Sequence, residues 1–95
     1  MRKLVDLISD MESKPGMYFT NYSIYSIKSF IDGFVLNNED GAVLMYDFQV
    51  YVKNKYELSP VLSWDKMIRL YSNSDKDSMD LFFIIFREFL KDRVS

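Results

Sequence analysis

Apolar residues recur every three or four positions over most of this chain, which is the spacing of one face of an α-helix. Over residues 2–13, Leu4, Val5, Leu7, Ile8 and Met11 keep that spacing, and Asp6, Asp10 and Glu12 fall off it. Lys14-Pro15-Gly16 ends the segment, because Pro15 disfavours helix at Lys14. Residues 17–21 should form a short loop rich in aromatics. Ser23 is an N-cap candidate. From there Ile24, Ile27, Phe30, Ile31, Phe34 and Val35 mark a second helix to about Leu36. Gly33 inside it should cost about 1 kcal/mol relative to alanine, and a close approach by another helix is the expected reason for it. Asn37-Asn38-Glu39-Asp40-Gly41 reads as a polar turn.

Residues 42–56 are ambiguous. Val43-Leu44-Met45-Tyr46 and Phe48-Gln49-Val50-Tyr51-Val52 are rich in strand formers, yet Leu44, Phe48, Tyr51, Val52 and Lys55 also share a helical face. The run is long and has no internal breaker, so helix is the expectation. The competing pattern is a β-hairpin across Asp40-Gly41. After a loop around Pro60, Ser63 is an N-cap candidate for a short helix over residues 64–71, with Trp64, Met67, Ile68 and Tyr71 inward. Ser74-Asp75-Lys76-Asp77 then resembles a capping box with Asp in place of Glu. Beyond it, Met79, Leu81, Phe82, Phe83, Ile85, Phe86, Phe89 and Leu90 cover an arc of roughly 200°, about twice that of an ordinary surface helix. The last helix should be nearly enclosed by the others, with Ile84 on its polar side. The pattern predicts an all-α fold: a compact bundle of about five helices, two of them short, around a central C-terminal helix.

Composition supports folding. The chain has 95 residues, 48% of them hydrophobic and 17% aromatic, enough for one domain over residues 1–95 and too apolar for disorder. Net charge is −2 and the Lys and Arg residues are scattered, which argues against direct nucleic-acid binding. No apolar run reaches the length of a membrane span, and acids interrupt the N-terminal stretch where a signal peptide would need an apolar core. A cytoplasmic protein without cofactor is the expectation. There is no Cys and no His, which removes thiolate nucleophiles, Cys- or His-based metal sites and the commonest general base. Ser–Lys chemistry and paired carboxylates remain, but no catalytic motif uses them, so no enzyme is expected.

The candidate functional residues are therefore those that could meet a partner. Glu39, Asp40 and Asp47 lack the spacing of a calcium loop and otherwise read as solvated acids. Asp75, Asp77 and Asp80 sit at a helix start, where the dipole favours acids; beyond that role they could face a basic partner. Tyr18, Phe19, Tyr22 and Tyr25 either close the core over the Pro-Gly turn or, for Tyr22 and Tyr25, offer contact area with a polar tip.

The most distinctive string is Lys14-Pro15-Gly16-Met17-Tyr18-Phe19, followed by Ser23-Ile24 and Phe30-Ile31-Asp32-Gly33-Phe34. With Phe48-Gln49-x-x-Val52-x-x-Lys55-Tyr56, the Trp64 helix and Asp80-Leu81-Phe82-Phe83, it resembles a family of small bacterial helical proteins. The family has an (Arg/Lys)-Pro-Gly-Met-Tyr start and a Leu/Phe-x-x-Gly-Tyr/Phe helix. The chain departs from it at Thr20, where Gly is commoner, and at Phe34, where Tyr is commoner. Some members resemble immunity proteins of contact-dependent or other polymorphic toxin systems. The resemblance implies a binding protein that neutralises a cognate toxin by covering its active site. A basic nuclease domain is the partner that the acidic balance suits best. The alternative is a small regulatory or structural helical module in a homo-oligomer or larger complex, with Ile84 and the surplus aromatics feeding an interface.

Overall fold

The computed structural model describes residues 3–20, 23–57 and 62–94. Five α-helices follow in order: α1 (Leu4–Ser13), α2 (Ile24–Val35), α3 (Glu39–Tyr56), α4 (Trp64–Leu70) and α5 (Asp75–Val94), with a 3₁₀ turn at Pro15–Met17 after α1. No strand occurs among the described residues. Residues 42–56 are helical, so the hairpin alternative does not form.

The core forms where the helical stripes converge. Leu4, Leu7, Ile8 and Met11 come from α1, Ile24, Ile27 and Ile31 from α2, and Met45, Phe48 and Val52 from α3. Trp64, Met67 and Ile68 of α4 join them, with Met79, Phe82, Phe83, Ile85, Phe86 and Phe89 of α5. α5 packs on α2, α3 and α4, and Arg87 on it pairs with Glu12 of α1. It is the central rod that its wide apolar arc predicts, and Ile84 on its outer strip is 48% exposed. Phe48 is the hub of the aromatic core. Its ring meets Trp64, Phe82, Phe86 and Phe89 edge-on at centroid distances of 5.4, 5.7, 5.3 and 5.3 Å, the geometry that ring quadrupoles favour.

The helix ends show how side chains fix the boundaries. Ser23 Oγ accepts from the Tyr25 amide at 3.1 Å, as an N-cap should. Ser74 Oγ accepts from the Asp77 amide at 3.0 Å. The Asp77 carboxylate accepts from the Asn73 amide at 2.8 Å, one residue outside the cap, so the predicted box closes one residue early. α3 begins three residues before the expected start, because Asn38 caps it by accepting from the Gly41 amide at 2.8 Å. The supposed turn at residues 39–41 is thus the first turn of the helix. At α4, Ser63 sits at the cap position, but its hydroxyl donates to the Asp65 carboxylate and accepts from no helix amide. The open Trp64 amide is taken instead by Gln49 of α3, whose Oε1 lies 2.6 Å away. The same side chain donates Nε2 to the Leu62 carbonyl at 3.0 Å. One amide thereby clamps the start of α4 to the middle of α3.

Two glycines exchange their expected roles. A Cβ on Gly33 would meet nothing within 4 Å, so no helix approaches there and the proposed reason for that glycine does not hold. Gly41, placed in a turn by the sequence pattern, is buried. A Cβ on it would lie 3.1 Å from Asn38 Oδ1 and 3.3 Å from Val35 Cγ1.

Candidate protein-binding surface

α3 buries Gly41, Met45, Phe48 and Val52. At 100° per residue these fall within an arc of about 60°. Directly opposite lie Val43 and Val50, with Tyr46 beside them. Their exposures are 54%, 41% and 64%. α3 thus carries two apolar stripes on opposite faces. One packs into the core, and the other faces outward at positions i, i+3 and i+7. Leu36, in the short α2–α3 connection, is also exposed.

The outward stripe has an ordered set of charges. Glu39 and Asp40 stand in the first turn of α3, where the helix dipole favours them, and no cation engages either among the described residues. Asp47 flanks the middle of the stripe and pairs with Arg93 of α5 at 2.5 Å. Arg93 also lies over the Phe89 ring, 5.7 Å from its centroid. Lys53 is exposed near the far end, in the last turn of α3. Along the inner side, Tyr51 donates to Asp92 at 2.9 Å and Lys55 pairs with Glu88 at 3.7 Å. These three cross-pairs run in opposite order on α3 and α5, so the two helices are antiparallel. Burial, with the Asp92 hydrogen bond and the nearby carboxylates, pushes the Tyr51 phenol up to about 12. Tyr56 stacks flat on Tyr71 at 4.2 Å, and burial raises its phenol as well.

The fold separates the acids that the sequence nominates. Because α3 and α5 are antiparallel, Glu39 and Asp40 lie toward the C-terminal end of α5. Asp75, Asp77 and Asp80 lie toward its N-terminal end, about 20–27 Å away along a rise of 1.5 Å per residue. Those three are also engaged locally. Asp75 pairs with Arg69 at 3.2 Å, Asp77 takes the Asn73 amide, and Asp80 pairs with Lys76 at 3.7 Å. Among the candidates, Glu39, Asp40 and Asp47 share the α3 surface. Tyr25 is exposed on the α2–α4 side, beside Leu62, Lys66, Arg69 and Leu70. Tyr22 lies outside the described residues. Tyr18 and Phe19 are half-buried around Phe30 at 5.6 and 6.3 Å, closing the core over the Pro-Gly turn.

Sequence reasoning missed Val43, Tyr46 and Val50 as surface residues. The signal was present: the apolar positions of residues 42–56 exceed what one helical face can bury. That surplus is also what made the segment resemble a hairpin. Comparison with protein-family models, with curated proteins and with solved structures finds no match. No helix among the described residues is long and apolar enough to cross a membrane, and no three acidic side chains among them converge as metal ligands would.

Proposed function

We propose that this chain is an immunity-type binding protein that neutralises a cognate bacterial toxin by docking over its active site. The observation that carries the reading is the outward stripe of α3. Val43, Tyr46 and Val50 stand at the i, i+3, i+7 spacing by which a helix seats itself in a groove. Glu39 and Asp40 stand at one end of that stripe, and no cation among the described residues pairs with them. A partner that fits offers an apolar groove with cations at one rim, which is the character of a nuclease cleft built to hold phosphate. Complementary charge speeds encounter and selects against wrong partners, and the central aromatic supplies most of the affinity. The family resemblance points to the same class of partner.

The test is to mix the chain with the toxin domain encoded beside its gene. Formation of a 1:1 complex with toxin activity suppressed at equimolar chain is the expected result. Undiminished toxin activity at a large excess of the chain contradicts the reading.

A further inference from the structure

The charged ends of the α3 stripe fit one further surface, which is the same stripe on a second copy. We infer that two copies of this chain associate through α3, antiparallel and related by a two-fold axis near Tyr46. The stripe is acidic at its start, with Glu39 and Asp40, and basic at its end, with Lys53. That polarity suits the helix's own dipole. It also makes the face self-complementary, because reversing one copy brings each acidic end over the partner's basic end.

The register follows from the helical spacing. With Tyr46 near the axis, each Tyr46 ring meets its own copy. Val43 of one chain comes level with Val50 of the other. Glu39 comes level with Lys53 of the other chain to within about one residue, or ~1.5 Å along the axis. Glu39, Tyr46 and Lys53 all lie on one flank of the stripe, spaced seven residues apart. A two-fold axis in the interface plane sets equivalent flanks against each other, so the opposite charges meet on the same side. The pairing buries all three exposed apolar residues of the stripe twice. Such an interface is isologous and closed, so it stops at two copies.

The contact is a single helix wide, and α3 is only about 27 Å long. Its area falls at or below the lower limit of about 1,200 Å² for stable interfaces, so the pair is weak and reversible. It covers the face assigned above to the toxin. Toxin and second copy would then exclude each other, and that competition, though not the pairing itself, rests on the neutralising reading.

The test is sedimentation equilibrium of the chain alone across the micromolar-to-millimolar range. The average mass should rise with concentration from 11.3 kDa toward twice that value. Tyr46→Glu should hold it at the monomer mass. Glu39→Lys and Lys53→Glu should each shift the midpoint of association several-fold upward, and the double exchange should restore it. All are exposed positions, and unchanged helical circular dichroism verifies folding. A constant 11.3 kDa mass for the unaltered chain at the highest concentration overturns the inference. So does self-association that survives Tyr46→Glu, or charge effects that merely add in the double variant. None of these results needs the toxin. A strict monomer that still silences the toxin removes the dimer alone, and a dimer that leaves the toxin active removes only the neutralising reading.

Discussion

Removing the Phe48 ring is the sharpest probe of the core. Phe48 is 0% exposed and touches Trp64 and three phenylalanines of α5. Phe48→Ala withdraws roughly 150 Å² of buried apolar surface, worth about 4 kcal/mol at ~25 cal/mol per Å². The neighbours are held on two separate helices, Trp64 on α4 and the phenylalanines on α5, and cannot all collapse into the space, so a residual cavity adds to that transfer term. A total loss of about 3–5 kcal/mol is expected. The whole domain is worth about 5–14 kcal/mol at its length, so the loss takes from roughly a fifth of that stability to nearly all of it. Urea unfolding followed by Trp64 fluorescence reads this directly. With a slope near ~1 kcal/mol per molar urea, the midpoint should fall by about 3–5 M. Phe30→Ala is the internal control. Phe30 is 37% exposed and, among the described rings, packs on Tyr18 and Phe19, so its loss should cost about 1–2 kcal/mol. A Phe48→Ala loss under ~1 kcal/mol, or one no larger than that of Phe30→Ala, would refute the placement of the hub.

Three further outcomes follow from local geometry. Gln49→Ala frees the Trp64 amide and the Leu62 carbonyl, so it should cost about 1–2 kcal/mol and speed amide exchange at the start of α4; unchanged exchange at Trp64 counts against the clamp. Gly33→Ala should stabilise by about 0.5–1 kcal/mol, because it meets open space in a helix. Gly41→Ala should destabilise, because it presses on the Asn38 cap; melting temperatures shifting in opposite directions are the readout. The fold holds the Tyr51 phenol protonated up to about 12, against an ordinary value of 10.0. Its contribution is therefore fully present below pH 10.0 and is lost as pH rises toward 12. Tyr51→Phe keeps the ring but cannot ionise, so its unfolding midpoint should fall less steeply over that alkaline range than that of the unaltered chain.

Much of the architecture was legible because helical periodicity reports burial directly. The wide arc of α5 predicted a central rod, and Ser23 and Ser74 announced their helix starts. The unread features depend on contacts between distant residues. Gln49 caps a helix fifteen residues away, and no local pattern signals that. The pattern puts Gly33 at a close approach and Gly41 in a turn, and only the packing of Val35 and Asn38 against Gly41 reverses that reading. The acids were legible as charges but not as a set. Only the antiparallel course of α3 and α5 shows that Asp75, Asp77 and Asp80 stand far from Glu39 and Asp40. The outward stripe of Val43, Tyr46 and Val50 was hidden in an excess of apolar residues, which shifted the pattern toward strand.

The central claim is that the outer face of α3 recognises the toxin while the core merely holds that face rigid. Calorimetric titration of the toxin domain with the unaltered chain and with Tyr46→Ala tests it most directly. Tyr46 is exposed, so its removal should leave the melting temperature within a degree or two while weakening the complex by about 2 kcal/mol, roughly 30-fold. Equal affinities for the two proteins, at equal stability, would contradict the claim.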